Sequence, residues 1–553
     1  MLVLALVITR PLYRSLGSGL PLGTQPVATV PLFNLWTLWW NCDRLERGLT
    51  GYWQAPIFHP TDGTFAFSEP QPPLLAVAPV VRTTGNLLLA YNVYLLGSLM
   101  LNGYVMTVLL RRNTCGVWLA ALGGGMGVLL PFVHWQLGVL QLVPVWGVLW
   151  VCLALQDFGV SPTARRGALL GCAFGVNYWL CNYYGLFLSV LLVFAGPVVL
   201  WGRGLLRWRT WAAIGVSLLV AALLCGPIVW AQLHYILRHD FSRNIALYMN
   251  LSSTIEEFLT PWGINRLGTN RLVPDFNVPR QLSTGHLKSL LALVGLFAGV
   301  WHRPWRRRTL FWGVLLAGGL LFACGAHIPT PLGTVHQLLA QHWPGFAHIR
   351  TLYRFAVFAQ LASIVLACIG LTALFSWTRR WSGWRGWLAL TAFAAFGLVT
   401  TFEVHPPPAR LFIVPSATTA SHWARWLRDH TPADAVIAHF PFPSDISEEA
   451  YLRTTLAMYW QTVHRRRMVN GYSGFFPQSS FDMQDAVDIF PDGASVVRLR
   501  ISGVRYCVLD LGALPAGLRA ALDDWPEDLR LAYADPRGTI VIYEILPVEK
   551  ASQ

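Results

Sequence analysis

Between residue 88 and about residue 403 the sequence returns repeatedly to apolar runs of roughly 17 to 25 residues, each long enough to cross a hydrocarbon core of about 30 Å as a helix. In lipid every backbone polar group has to be satisfied internally, so a chain with this pattern is confined to a bundle of membrane helices. The expected spans are 1–17, 88–110, 115–133, 138–155, 167–182, 184–201, 211–231, 286–301, 309–326, 353–377 and 384–403, eleven in all. Composition agrees: 54% of residues are hydrophobic, 12% are charged and the mean hydropathy is +0.46, far from a soluble globular chain. The lipid bilayer is therefore the first partner.

Basic clusters occur at Arg111–Arg112, at Arg165–Arg166, at Arg203, Arg207 and Arg209, in "HRPWRRR" at 302–308, and at Arg379, Arg380 and Arg385. They fall on alternate connections and mark one cytoplasmic face by the positive-inside rule. The formal charge of +14 is thus explained by topology and calls for no nucleic acid. With the amino end cytoplasmic, the loops 18–87, 232–285 and 327–352 and the tail 404–553 are expected outside. The first span is the shortest, since "MLVLALVIT" gives nine residues before Arg10 and Pro11. None of the nine cysteines shows a spacing suited to metal or redox work.

Carboxylates are sparse and carefully placed. Residues 1–403 hold ten of them: Asp43, Glu46, Asp62, Glu69, Asp157, Asp240, Glu256, Glu257, Asp275 and Glu403. None lies in the middle of an expected span, which weighs against ion-coupled transport. Four of the ten, Asp43, Glu46, Asp62 and Glu69, share the first external loop. There "NLWTLWWNCDRLERG" at 34–48 has helical spacing and a glycine stop. Trp36, Trp39, Trp40, Asp43 and Arg47 form one stripe, and Leu35, Leu38, Leu45 and Leu49 another. This predicts an interfacial helix with its leucines toward lipid. Asp43 either pairs with Arg47 at i, i+4 or, beside the indoles of Trp39 and Trp40, offers an acceptor to a sugar. Further on, "FAFSEPQPP" at 65–73 fixes Glu69 ahead of prolines that restrict the backbone. Ser68 or Glu69 could equally cap a helix starting near Pro72.

The stretches "PLFNLWTLWWN" at 31–41, "PIFHPTDGTFAFSEPQP" at 56–72, "LAYNVYLLGSLMLNGYVM" at 89–106, "PGFAHIRTLYRFAVFAQLA" at 344–362, "MVNGYSGFFP" at 468–477 and "GVRYCVLD" at 503–510 together resemble the GT-C superfamily of integral-membrane glycosyltransferases. The resemblance is to its bacterial branch near the aminoarabinose-transferase-like and protein O-mannosyltransferase-like enzymes. It implies an inner-membrane enzyme with a lipid-linked sugar donor, a polyprenyl phosphate sugar, and an acceptor that the sequence does not identify. It also implies an acid in the first external loop that acts as general base or binds a divalent cation. Glu69 matches the second acid of that loop. The segment 21–31 carries no acid, so Asp43 is the first one available. Arg350 and Arg354, at the start of a helix, suit the leaving phosphate, with Arg266, Arg271 and Arg280 as further candidates. Trp39, Trp40 and His59 complete the expected substrate-binding set, and a divalent ion held by Asp43 and Glu69 is a possible cofactor.

Residues 404–553 contain seventeen of the 27 acids, which marks a soluble domain after a hinge at "PPPARLF". The expected elements are a helix in "SATTASHWARWLRDHTP", a strand in "AVIAHFPF", helices at 448–464 and 515–524, a strand in "GVRYCVLD", and a terminal strand pair. The fold class that follows is an α-helical polytopic membrane protein of residues 1–403 with a C-terminal extracytoplasmic α/β domain. Its expected function is sugar transfer from a polyprenyl-phosphate donor at the extracytoplasmic face. A lipid or polysaccharide translocase, or a non-catalytic membrane scaffold, fits the same layout.

Overall fold

The computed structural model describes all residues of 1–553 except 114, 202–206, 242–244, 273, 275, 379–381, 417–421, 515–527, 537 and 548–553. The expected helix at 515–524, the acid Asp275 and the basic residues Arg203, Arg379 and Arg380 therefore lie outside the described residues. In chain order, the helices that organise the molecule are α1 (Thr29–Glu46), α2 (His286–Trp301), α3 (Ala356–Thr378), α4 (His422–His430) and α5 (Leu452–His464). The strands of the main sheet are β1 (Val436–Phe440), β2 (Arg467–Met468), β3 (Val504–Asp510), β4 (Leu529–Ala534) and β5 (Ile540–Ile545).

Among the described residues seven helices are long and apolar enough to span a membrane: Leu87–Arg112, Val117–Trp135, Leu140–Val160, Asn182–Leu200, Trp208–Arg238, Leu352–Ser376 and Gly383–Phe402. The expectation of eleven is not met. Where a span was expected at 1–17, the chain forms a helix of 7 residues, Leu2–Ile8, which at 1.5 Å per residue reaches about 10 Å before Arg10 and Pro11. Ala164–Leu180, α2 and Arg306–Ala323 are helices of 17, 16 and 18 residues. The first and third of these open on arginines, which shortens their apolar stretch.

The chain divides into two compact units, and neither is a single stretch of sequence. The first comprises residues 1–14, 93–227 and 242–410, and the second comprises 15–92, 228–241 and 411–553.

In the first unit α2 and α3 pack closely because glycine meets glycine. A Cβ at Gly370 would strike the carbonyl oxygen of Leu291, and one at Gly295 would strike that of Leu366. Small residues of this kind let two membrane helices approach to backbone contact. Charges here are buried in pairs. Lys288 lies 3.6 Å from Glu403 and donates to the carbonyl of Thr400 at 2.8 Å. Glu403 also accepts the backbone N–H groups of Leu287 at 2.8 Å and Lys288 at 3.3 Å, so a carboxylate closes the positive end of α2. Arg280 pairs with the fully buried Glu257 at 3.0 Å and donates to the carbonyls of Asn250 and Ser252 at 3.1 and 2.7 Å.

In the second unit the sheet order is β4-β5-β3-β1-β2. β4, β5 and β3 are antiparallel neighbours, while β1 pairs in parallel with both β3 and β2. Val436, Ala438, Phe440, Cys507 and Leu509 form the centre of its core. The strands and helices expected from "AVIAHFPF", "GVRYCVLD", 448–464 and the terminal pair fall where the sequence placed them. The expected hinge is only partly one, since Leu411–Ile413 forms a strand with Gly19–Pro21 of the first loop.

The largest departure concerns α1. Its proline at 31 sits in the first turn, where the missing N–H is not needed, and Gly48 stops it with φ 62°. An interfacial helix would leave the whole leucine stripe open to lipid, but Leu35 and Leu38 have no exposed surface and the indoles opposite them are buried, while Leu45 and Leu49 at the far end are exposed. α5 packs along α1. The Trp36 Nε1–H donates to Gln461 Oε1 at 2.8 Å, and Gln461 Nε2 donates to the carbonyls of Pro56 and Arg466 at 2.6 and 2.9 Å. The run Arg465–Arg467 then divides its charges. Arg466 is buried and donates to the carbonyls of Arg428 and Thr431 at 2.6 and 2.8 Å, capping the negative end of α4. Its own N–H donates to Nδ1 of the fully buried His464 at 3.0 Å.

Two outcomes follow. Gly370→Val should cost about 2 kcal/mol or more by overpacking a backbone contact, visible as a lower thermal midpoint of the purified protein in detergent. Burial, with His439 and Arg466 nearby, holds His464 well below the usual histidine range. The folded state thus refuses a proton that the unfolded chain accepts below about pH 6.5. Stability is complete above that pH and should fall as pH drops through it, by up to about 1.4 kcal/mol per unit. Urea midpoints at pH 7.5 and 5.5 should diverge less in His464→Asn, which keeps an acceptor for the Arg466 N–H.

Candidate functional site

The first loop is stapled to α1 by side-chain amides. Asn41 Nδ2 donates to the carbonyls of Thr37 and Pro70 at 2.9 and 2.8 Å, and Gln71 Nε2 donates to Asn34 Oδ1 at 2.8 Å. Tyr52 Oη–H donates to Asn41 Oδ1 at 2.8 Å, while the Tyr52 carbonyl accepts from Trp40 Nε1 at 2.9 Å. Gln71 adopts the left-handed conformation, φ 49°, so the chain reverses between Pro70 and Pro72. These bonds grip the residues immediately after Glu69, whose side chain is buried. The short helix that follows, Pro72–Val77, has Gln71 as its N-cap, so the capping role weighed for Ser68 or Glu69 is taken by neither. On the other side, the Ser68 carbonyl accepts from Gln232 Nε2 at 3.2 Å.

Asp43 is differently engaged. It is 6% exposed and faces three guanidiniums: Arg44, Arg47 at 3.3 Å and Arg465 at 3.5 Å. The i, i+4 pairing read from the sequence is present, but it is one bond of three. Arg465 was not among the expected residues, and its only sequence signal was membership of a basic run. Three cations about one carboxylate oppose a divalent ion there. Among the described residues no three His, Cys, Asp or Glu side chains gather as a structural zinc site would need.

Trp39 and Trp40 are buried, with 7% and 4% of their surface exposed. Trp40 lies parallel to Trp36 with ring centroids 6.3 Å apart, and the Arg44 guanidinium sits 4.2 Å from its centroid. Its faces and its N–H are thus in use within the protein. His59 is half-buried, and its backbone N–H donates to the Met468 carbonyl at 2.9 Å. Burial, then the nearby Arg467, lowers its pKa, so the imidazole is neutral at physiological pH. Asp62, beside it in sequence, pairs with Arg238 at 2.6 Å.

Arg350 and Arg354 belong to the first unit and are described with it. Arg354 is buried on the short helix Leu352–Phe355, with its guanidinium 4.4 Å from the Tyr183 ring centroid. Arg350 is half-buried and forms no ion pair among the described residues. Of the further arginine candidates, Arg280 is committed to Glu257, and Arg266 lies 3.3 Å from His405 Nε2.

No family model matches the sequence, and no curated protein matches it. Solved structures do. Two cryo-EM structures of arabinofuranosyltransferase AftD from Mycobacteria, one of them a mutant, align over 99% of this chain with TM-scores of 0.51 and 0.52 at 13% and 12% identity. The chain has the GT-C fold. It spans about two fifths of the AftD chains, 40% and 41% of their length. The crystal structure of ArnT from Cupriavidus metallidurans in the apo state aligns over 98% of this chain and 96% of its own, with TM-score 0.46 and 14% identity. With seven helices among the described residues long and apolar enough to cross a membrane, this chain is an integral membrane protein, and it carries a small sheet toward its C-terminus.

Asp43→Asn should remove about 1.5–3 kcal/mol of stability by releasing charged hydrogen bonds. The check is the thermal midpoint, and Arg465→Gln should reproduce part of the loss.

Proposed function

We propose that this GT-C-fold protein is a membrane glycosyltransferase that moves a sugar from a polyprenyl-phosphate donor to an acceptor at the extracytoplasmic face of the inner membrane. The observation that carries the reading is Glu69: a carboxylate buried in a loop clamped on both sides, in a fold shared with an arabinofuranosyltransferase. A bilayer-anchored donor keeps its tail in lipid and brings its sugar to the membrane surface, so an acid in a surface loop can meet it.

In the proposed reaction Glu69 accepts the proton of an acceptor hydroxyl or amine as that atom attacks the anomeric carbon. The bond from that carbon to the phosphate oxygen breaks, and the phosphate leaves with the electron pair. Arg350 and Arg354 serve the leaving phosphate through guanidinium hydrogen bonds. Asp43 acts through Arg44, Arg47 and Arg465 to hold α1 in place, and the neutral His59 and the indoles of Trp39 and Trp40 shape the loop around Glu69. No step is routed through a metal ion.

Radiolabelled polyprenyl-phosphate sugars, supplied to membranes containing the protein, test the reading. Wild type should transfer label, and Glu69→Gln at matched abundance should lose about 100-fold or more in rate while retaining donor binding. Arg350→Gln should weaken donor binding. Label movement across the bilayer without transfer, for every donor tried, would replace this reading with a translocase.

A further inference from the structure

A second site lies in the sheet region of the unit formed by residues 15–92, 228–241 and 411–553, where α4, α5, β1 and the end of β3 surround a cavity of about 130 Å³ accessible to water. At the roughly 30 Å³ that a water occupies in the liquid, it holds about four waters, room for part of one sugar ring. Its walls combine Trp423, Trp460, His439, Thr454, Arg453 and Asp510. Trp423 and Trp460 meet edge to face at 6.0 Å, and His439 packs against Trp423 at 5.5 Å.

The cavity carries unspent hydrogen-bonding capacity. Trp423, Trp460 and Thr454 are 5%, 8% and 4% exposed, yet among the described residues neither indole N–H nor the Thr454 hydroxyl has a hydrogen-bond partner. Buried polar groups are ordinarily satisfied, as Trp36 and Trp40 are by donating to oxygens, whereas the buried Nε2 of His439 in this wall, like several other buried polar atoms of the unit, has no partner among the described residues. Arg453 is exposed at the cavity and forms no ion pair among the described residues. Asp510 stands in the same wall with one oxygen accepting the Gly512 N–H at 3.1 Å. The two opposite charges line one cavity, yet no guanidinium nitrogen comes within 4.0 Å of the carboxylate, so a ligand between them would meet a donor and an acceptor.

The frame is rigid at this point. Asn470 donates to the His439 carbonyl at 3.0 Å and accepts its N–H at 2.7 Å, which fixes β1 beside the cavity. Burial pushes the His439 pKa down to about 3, so the imidazole is neutral and adds no charge.

Apolar ring faces, several unpaired donors and one balanced charge pair match a ligand with apolar C–H faces and many hydroxyls. An anionic ligand would want excess cations, and an apolar one would leave the donors unpaired. We propose that this cavity is a carbohydrate-binding site that takes a single neutral sugar residue, either free or as the end of a glycan. It is a binding site, and its test reads binding, so it stands or falls separately from sugar transfer at Glu69.

The test uses the full chain in detergent or nanodiscs, with methyl glycosides of neutral hexoses and pentoses as probes. Saturation-transfer NMR and tryptophan fluorescence report binding. The proposal expects at least one glycoside to bind saturably. Arg453→Gln and Asp510→Asn, both at partly open positions, should each weaken that binding about tenfold or more, with thermal midpoints unchanged. Glu69→Gln should leave it intact. Absence of binding across the panel would overturn the proposal. So would binding that is indifferent to both cavity variants, or binding lost only with Glu69→Gln.

Discussion

Gln461 has no exposed surface and no idle polar atom on its amide. Its oxygen takes the Trp36 N–H, and its nitrogen serves two carbonyls, one in the first loop and one just beyond its own helix. In a dry interior each of these bonds is costly to leave unmade, so α1 and α5 have one register in which they close. The other contacts of the second unit depend on that register. Arg465 reaches Asp43 only when the end of α5 lies beside α1, and Arg466 reaches the end of α4 from the next position along.

The same register explains how Glu69 is held. Asn34 and Asn41 lie on α1 seven residues apart, two turns of one helix face, and they clamp Gln71 and Pro70 respectively. A helix free to rotate in the interface could not present both amides to one loop. Covered by α5, α1 becomes a rigid edge, and the carboxylate beside Pro70 inherits that rigidity. Precise placement of a reacting group is a large part of what any catalytic loop needs.

Much of the fold was legible in the sequence because its signals are local. Apolar length marks membrane helices, and alternation with turn residues marks the strands of the C-terminal sheet. The failures share a physical cause, which is that the partner was remote. Read alone, α1 shows leucines on one side and tryptophans on the other, and lipid is the natural partner for leucine. The helix that actually covers it lies more than 400 residues further on, and no spacing rule reaches that far. Arg280 looked like a free cation because Glu257 is 23 residues away across an irregular loop. At the candidate site, the position of Glu69 was readable from its prolines, but its clamps on α1 were not, since amides carry no pattern in the sequence.

The separation between Trp36 and Gln461 also sets a clock. Those residues are 425 positions apart, and at ribosomal rates of about 5–20 residues per second the nascent chain waits roughly 20 to 85 s between making the first and the second. For most of that interval α1 lacks its cover, and of the partners described above only the first-loop residues Tyr52, Pro70 and Gln71 are there to hold it. The leucine and tryptophan stripes that mislead a reading of the finished protein suit this interval well. They describe a helix able to rest at the lipid interface until its permanent partner is synthesised.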